Sequence, residues 1–305
     1  GNGAFCGGDL ETFQYFADWA KDHAESIHGV DRNPIAFQNW GFITAKGNVL
    51  YLHVHAHNWP TNGELKLGGL DNDIKEATLM AGNRSLEFEN LGSGIHCIVL
   101  PKKPAHPLFT GIKVVCQGQP RGDDCRLIDP RARNRFFGYD TTEFAGNARP
   151  SGGKKDRAYI AGMGHGSSVT WTVRVDQPAT YNVQVVYDPF GYTEDGPRPY
   201  VVAIGDQSLL GNVITESKGS DELRAFEMKL NRFDEGQYNR FHRKKRQWLA
   251  QHPGKLGLVE VFVVEDLGNM TLQPGAYDLV LRAHEDLPRR APLFNFRTIY
   301  LVPVK

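Results

Sequence analysis

Along most of the chain, apolar and polar residues alternate with a period of two, and the spacing of a helix recurs in only two places. The first covers about residues 10–27. Phe13, Phe16, Ala17, Ala20 and Ala24 recur there at helical intervals, and Trp19 widens the stripe. Asp9 reads as the N-cap and Gly29 as the C-cap. Nothing else nearby is helical. A lone amphipathic helix must bury its stripe against something, so it reads as part of a larger domain. Residues 49–57 (Val-Leu-Tyr-Leu-His-Val-His-Ala-His) then alternate as a half-buried strand does. Short strands follow at 64–67, 74–79, 85–89, 95–100 and 111–115. They are separated by Asn62-Gly63, Ala81-Gly82-Asn83 and Gly92-Ser93-Gly94. Strands this short and this closely spaced predict an antiparallel sandwich of about 80 residues.

The polar, turn-rich stretch 117–126 (QGQPRGDDCR) reads as a linker. A second all-β region follows, with strands at 168–175, 179–187, 200–204, 258–264, 277–283 and 298–302. One helix interrupts it at 234–251. Tyr238, Phe241, Trp248 and Leu249 lie on one face of that helix, with Arg240, Arg243, Lys244 and Arg246 on another. The expected fold class is therefore all-β, with two antiparallel β-sandwich domains preceded by one helix. The expected boundaries are 1–35, 36–117 and 118–305, with a helical insertion at 218–252.

Composition narrows the function classes. The 33 glycines and 17 prolines suit a chain of many turns. Lys plus Arg (35) equals Asp plus Glu (35), so no net field draws the whole chain to nucleic acid or to an acidic membrane surface. No apolar run approaches the roughly 20 residues of a membrane span. No signal-peptide pattern opens the chain, and the signal of a secreted parent is expected further upstream. Cys6, Cys97, Cys116 and Cys125 match no zinc spacing. Cys116 and Cys125 read equally as a loop-closing disulfide or as buried thiols.

Candidate chemistry is sparse. His53, His55 and His57 share one face of a strand, as ligands of a metal-dependent hydrolase would. The bland reading is a solvated or interdomain strand face, because Leu52, Val54 and Ala56 form the buried side. The run Gly162-Met163-Gly164-His165-Gly166-Ser167-Ser168 resembles a phosphate loop but lacks the lysine and the following helix. It reads as a β-loop able to line a ligand cleft. The basic run 240–246 reads as a solvated helix face rather than a nucleic-acid contact. Asn83-Arg84-Ser85 and Asn269-Met270-Thr271 are sequons. Glycosidases place two carboxylates across a sugar, and 35 acidic residues give too many chance pairs to choose from.

Longer motifs carry a resemblance. The opening Gly1-Asn2-Gly3 is followed by Trp19-Ala20-Lys21-Asp22-His23-Ala24-Glu25-Ser26-Ile27-His28-Gly29. Next come Trp40-Gly41-Phe42-Ile43-Thr44-Ala45-Lys46-Gly47-Asn48-Val49-Leu50-Tyr51-Leu52-His53-Val54, Trp59-Pro60 and Leu65-Lys66-Leu67-Gly68-Gly69-Leu70. Over about residues 1–116 this resembles the α-L-fucosidases of glycoside hydrolase family 29. Ala24 and His28 depart from that pattern, and His55 and His57 are additions to it. The resemblance implies that residues 1–35 are the last loop and helix of a (β/α)8 barrel. Residues 36–117 are then a sandwich that buttresses the barrel. The aspartate nucleophile and acid/base carboxylate would lie upstream of Gly1, so this chain would hold no catalytic residue.

A looser resemblance covers about residues 126–305. It is carried by Tyr159-Ile160-Ala161-Gly162, Ser167-Ser168-Val169-Thr170-Trp171-Thr172-Val173, Ala179-Thr180-Tyr181-Asn182-Val183, Leu267-Gly268, Leu272-Gln273-Pro274-Gly275 and Phe294-Asn295-Phe296-Arg297. This part resembles the jelly-roll modules of carbohydrate-binding families 6 and 35. The resemblance implies a fucosylated or other glycan as partner. Asn295 fills the family's asparagine position, and Tyr159, His165 and Tyr192 are further candidates for sugar contact. Arg297 stands where an aspartate commonly helps hold a structural calcium, which argues against that ion. The resemblance implies no other cofactor, no nucleic acid and no membrane, in a bacterial protein that is secreted or periplasmic.

Overall fold

The computed structural model describes residues 7–151, 159–189, 197–214, 220–251 and 262–304. The chain divides into two compact units, Gly1–Leu127 and Ile128–Lys305. Both are antiparallel β-sandwiches, as the alternating pattern predicts.

In the first unit, strands β1 (Gly41–Lys46), β2 (Val49–His55), β3 (Glu64–Gly68), β4 (Ile74–Leu79), β5 (Arg84–Ser85), β6 (Phe88–Gly92), β7 (Ile95–Val99) and β8 (Phe109–Cys116) form two sheets. Their orders are β1-β2-β8-β4-β5 and β3-β7-β6. Leu50, Leu52 and Val54 of β2 point inward with Ile112 and Val114 of β8, against Leu67 of β3 and Ile98 of β7. All seven are fully buried, and each burial stabilises by about 1.5–3 kcal/mol. The stretch 117–126, expected to be a linker, is held inside this unit. The Asn72 amide donates to the carbonyls of Gln117 (2.9 Å) and Gln119 (3.1 Å) and accepts from the Arg121 N–H (2.6 Å). Gly122 pairs with Leu70 so closely that a Cβ there would lie 2.0 Å from the Gly69 carbonyl oxygen. Cys116 and Cys125 are both buried thiols, and burial pushes the Cys116 thiol up to about 11.

The opening helix begins at Gly7, two residues before the expected cap, and breaks at His23 into α1 (Gly7–Asp22) and α2 (Ala24–Ile27). It lies on the outer face of the β1-β2-β8 sheet. The Trp19 indole donates to the Phe109 carbonyl (3.1 Å), and Thr44 donates to the carbonyl of Ser26 (2.6 Å). Gly111 makes the approach possible, since a Cβ there would meet the His23 ring at 2.4 Å.

The second unit opens at the junction strand β9 (Arg126–Ile128). It continues with β10 (Asn134–Phe137), β11 (Glu143–Ala145), β12 (Arg149–Ser151), β13 (Tyr159–Ala161), β14 (Ser168–Val175), β15 (Ala179–Asp188), β16 (Pro199–Ile204) and β17 (Gln207–Asn212). After the helices come β18 (Val263–Leu272), β19 (Gly275–Ala283) and β20 (Asn295–Pro303). One sheet runs β12-β13-β20-β15-β18, with β10 also on β20; the facing sheet runs β11-β14-β19-β16-β17. Trp171 sits fully buried between them, edge-on to Phe136 (6.0 Å) and Phe296 (5.7 Å). The two edge strands β17 and β18 are joined by a side chain. The Gln207 amide donates to the Thr271 carbonyl (2.5 Å) and accepts from the Thr271 N–H (3.2 Å).

The insertion holds two helices. α3 (Asp221–Asn231) has a Ser220 N-cap, acidic residues in its first turn and left-handed Arg232 at its end. α4 (Glu235–Gln251) opens with a capping box in which Asp234 and Gln237 exchange hydrogen bonds (2.9 and 2.7 Å). α3 lays Leu223, Phe226 and Leu230 on Val186, Val264 and Tyr300, covering the outer face of the β20-β15-β18 sheet. A buried Glu227–His242 pair (3.2 Å) ties α3 to α4.

Candidate functional site

In β20 the flanking Phe294 and Phe296 are buried in the core, so alternation turns Asn295 out of it. Asn295 is half-buried and pairs in register with Asp188 at the end of β15. Its amide lies 3.5 Å from an Asp188 carboxylate oxygen, and Asp188 itself is only 4% exposed. Behind them lies a buried aromatic cluster of the core. Tyr187 and Phe294 stack at 4.3 Å, and Tyr200 meets Phe294 edge-on at 5.0 Å.

Both tyrosine hydroxyls donate to the same Glu265 oxygen at 2.6 Å, and the other Glu265 oxygen accepts from the Asn212 N–H at 3.1 Å. Burial and the nearby Glu265 charge push both phenols well above their ordinary value, so they remain neutral donors. Arg198, 6% exposed, donates to the Pro292 carbonyl (2.6 Å) and so fixes the segment leading into Asn295.

The loop 162–167 lies beside that segment. The Leu293 N–H donates to the Met163 carbonyl (2.9 Å), and Gly164 pairs with Pro292. His165 is exposed at its turn. Gly162 serves close backbone approach: it has φ +75°, and a Cβ there would sit 2.1 Å from the Asn147 carbonyl oxygen. Half-buried Tyr159 is on β13, whose Ile160 pairs with Phe296. Tyr159, His165 and Asn295 thus belong to adjoining segments of one sandwich edge, while Tyr192 lies outside the described residues. Arg297 follows on the outer face, its guanidinium 4.2 Å over the Phe262 ring.

Sequence reasoning did not single out Asp188, Arg198 or Glu265. The available signal was an acid closing an apolar strand (Tyr187-Asp188-Pro189). The partners of Arg198 and Glu265 are set by tertiary pairing and leave no local mark.

The three histidines do not form the outward face expected of them. His53 is buried, because α1 covers it: the Trp19 ring lies 5.8 Å away and the Thr44 hydroxyl 3.5 Å from its Nε2. Burial, reinforced by neighbouring His23, lowers His53 to about 4. β2 ends at His55, and His57 turns away in a single 3-10 turn, Ala56–Asn58, with its ring 4.8 Å from that of His55. Among the described residues, no group of three His, Cys, Asp or Glu side chains is placed to hold a metal ion.

No family model and no curated protein matches the chain. Among solved structures, an α-L-fucosidase from Vibrio sp. strain EJY3 is similar over 99% of this chain, with a TM-score of 0.55 and 15% identity. An α-L-fucosidase isoenzyme from Paenibacillus thiaminolyticus covers 38% of this chain and 28% of its own (TM-score 0.33, 22% identity). The GH26-CBM35 β-(1,4)-mannanase of Podospora anserina covers 57% of this chain and 28% of its own (TM-score 0.34, 11% identity). The class defined here is an all-β, two-unit fold shared with the first of these, a fucosidase. The chain spans less than half of that enzyme, 46% of its length.

Proposed function

We propose that this chain is a non-catalytic accessory region of a secreted or periplasmic α-L-fucosidase. In this reading the first unit buttresses a (β/α)8 barrel that carries the catalytic carboxylates. The second unit binds glycan at the Asn295 edge, as carbohydrate-binding modules of the jelly-roll kind do. The observation that carries the reading is the outer face of α1. Leu10 (56% exposed), Phe13 (55%) and Phe16 (47%) point away from the sheet that α1 lies on. An exposed apolar stripe on an otherwise docked helix marks a partner surface. The fold shared along 99% of the chain with a larger fucosidase supports the same reading.

At the Asn295 edge, the half-buried Asn295 amide is offered to sugar hydroxyls, with Tyr159 and His165 as flanking contacts and Tyr192 as a further candidate. No calcium is needed at Arg297, whose own charge opposes a cation. Calorimetric titration with fucosylated, plant and algal oligosaccharides tests the binding, with the Asn295→Ala variant as control. Saturable heats that vanish in the variant are expected, together with no release from p-nitrophenyl fucoside. Enzyme-like turnover of that substrate would overturn the non-catalytic assignment.

A second reading has its own observation. α3 covers the outer face of the β20-β15-β18 sheet with buried apolar side chains. If all the glycans above give no heat, the second unit serves arrangement or oligomerisation alone.

A further inference from the structure

The zero net charge of the chain conceals a local concentration. α4 holds five basic residues and one acidic one, Glu235. Gly236, Asn239, Arg240, Arg243 and Arg246 line a concavity of about 410 Å³ on its outer face. Three features show that this is a prepared surface rather than a solvated basic run. First, Glu235 is drawn toward α3, with its carboxylate 3.5 Å from the Arg224 guanidinium. Secondly, Arg224 donates to the Asn239 carbonyl oxygen at 3.0 Å, which fixes the amide and leaves its NH2 group as a donor. Thirdly, Arg240 and Arg243 are exposed and pair with no carboxylate among the described residues. Gly236 lines the concavity without a side chain, and the Asp234 carboxylate beside it accepts from the Gln237 N–H (2.7 Å).

We propose that this face of α4 binds the oxyanion groups of an anionic polysaccharide, sulfate esters or uronate carboxylates. Arg240 and Arg243 stand one turn apart, about 4.5 Å along the helix, so they meet neighbouring anionic groups along a chain. Guanidinium forks match planar and tetrahedral oxyanions bidentately. A single-stranded nucleic acid would also need aromatic platforms for its bases. Two of the aromatics of α4 are engaged inward: Tyr238 is buried beneath Arg224 with its ring against His242, and Phe241 packs on Phe233 at 5.4 Å. The choice of a polysaccharide rests on the glycan-binding reading above; the choice of an anionic one rests on α4 alone.

Affinity electrophoresis of the full chain at 0.15 M salt tests this, with about 0.15 M chosen to mimic physiological screening. The probes are dextran sulfate, polygalacturonate, unmodified dextran and a DNA duplex. Retardation by dextran sulfate, polygalacturonate or both is expected, with none by dextran; the polymer that binds identifies the anionic group. Arg240→Gln/Arg243→Gln should weaken binding about a hundredfold, about tenfold per lost fork. Arg240→Lys/Arg243→Lys, which keeps the charge and removes the fork, should lose less. Arg282→Gln, an exposed arginine elsewhere in the unit, should lose nothing. No retardation by either polyanion, an unchanged double glutamine variant, or tighter binding of DNA than of both polyanions would each overturn the proposal. Asn295→Ala separates the two sites. Loss of neutral-glycan binding with polyanion binding intact is expected, and polyanion binding without any neutral-glycan binding would sink the Asn295 reading alone.

Discussion

Each unit carries a helix on the outer face of a sheet, and the two helices are oriented in opposite senses. α3 is amphipathic: Leu223, Phe226 and Leu230 face the sheet, while Asp221, Glu222 and Lys229 are exposed and Glu227 is buried against His242 of α4. α1 is held to its sheet by an indole, histidines and hydroxyls, and it turns phenylalanine and leucine outward. Burial of apolar area drives the first attachment. The second rests on directional contacts, namely the Trp19–Phe109 hydrogen bond, the Tyr15–His106 contact at 2.9 Å and the Trp19 ring 5.8 Å from that of His53. The comparison separates a helix that finishes a surface from one that joins two. It also predicts that the two attachments respond to different perturbations.

The largest difference should come from pH. His53 titrates at about 4 in the folded protein against an ordinary 6.5. Its folded-state value is depressed, so its contribution is present above pH 6.5 and is lost as pH falls through 4. That gap corresponds to about 3 kcal/mol at most. The other groups facing this layer are His23, His106, Asp22 and, at its rim, the Glu25–Lys113 pair. Denaturation at pH 7 and pH 4.5 should show the α1 contact loosening at the lower pH, and His53→Asn should flatten the dependence. A wild-type slope persisting in that variant would remove His53 from the account. Next, Leu223→Ala should cost about 2 kcal/mol, since it deletes buried apolar contact under α3. It should leave amide-exchange protection in α1 untouched. Trp19→Phe keeps a ring but loses the bond to Phe109, and about 1 kcal/mol of protection should go from α1 alone. Smallest of all, Leu10→Ser/Phe13→Ser/Phe16→Ser should change stability by less than about 0.5 kcal/mol, as exposed positions do. A much larger loss would mean the stripe is already buried, and the contrast with α3 would collapse.

The sheets were legible because strand alternation is a local property. Residues 49–55 announce β2 and its inward Leu50, Leu52 and Val54 without outside information. The fate of His53 was not legible, because what covers it comes from a helix some thirty residues earlier. The stretch 117–126 looked like a linker for the same reason: its polar residues are satisfied by Asn72, far away in sequence. α4 was visible as a helical stripe, and its Asp234/Gln237 capping box confirms its start. α3 was readable in principle, since Ser220 followed by Asp221 and Glu222 is a helix-start signature. Of the strand expected at 258–264, residues 258–261 lie outside the described residues, and the described strand β18 runs Val263–Leu272. There Gly268 (φ +104°) accompanies a bulge that breaks the alternation. At the candidate site the Asn295 position was legible, whereas its partner Asp188 emerges only when β15 and β20 pair.

The side-chain clasp between β17 and β18 has a consequence for how copies of this protein behave at high concentration. An open sandwich normally ends in strands whose outward N–H and C=O groups await a neighbour, which is how fibrils recruit. Here Gln207 engages both backbone groups of Thr271, and Glu265 engages the outward N–H of Asn212. Each strand thereby blunts the other, and a stray polypeptide finds that margin already occupied.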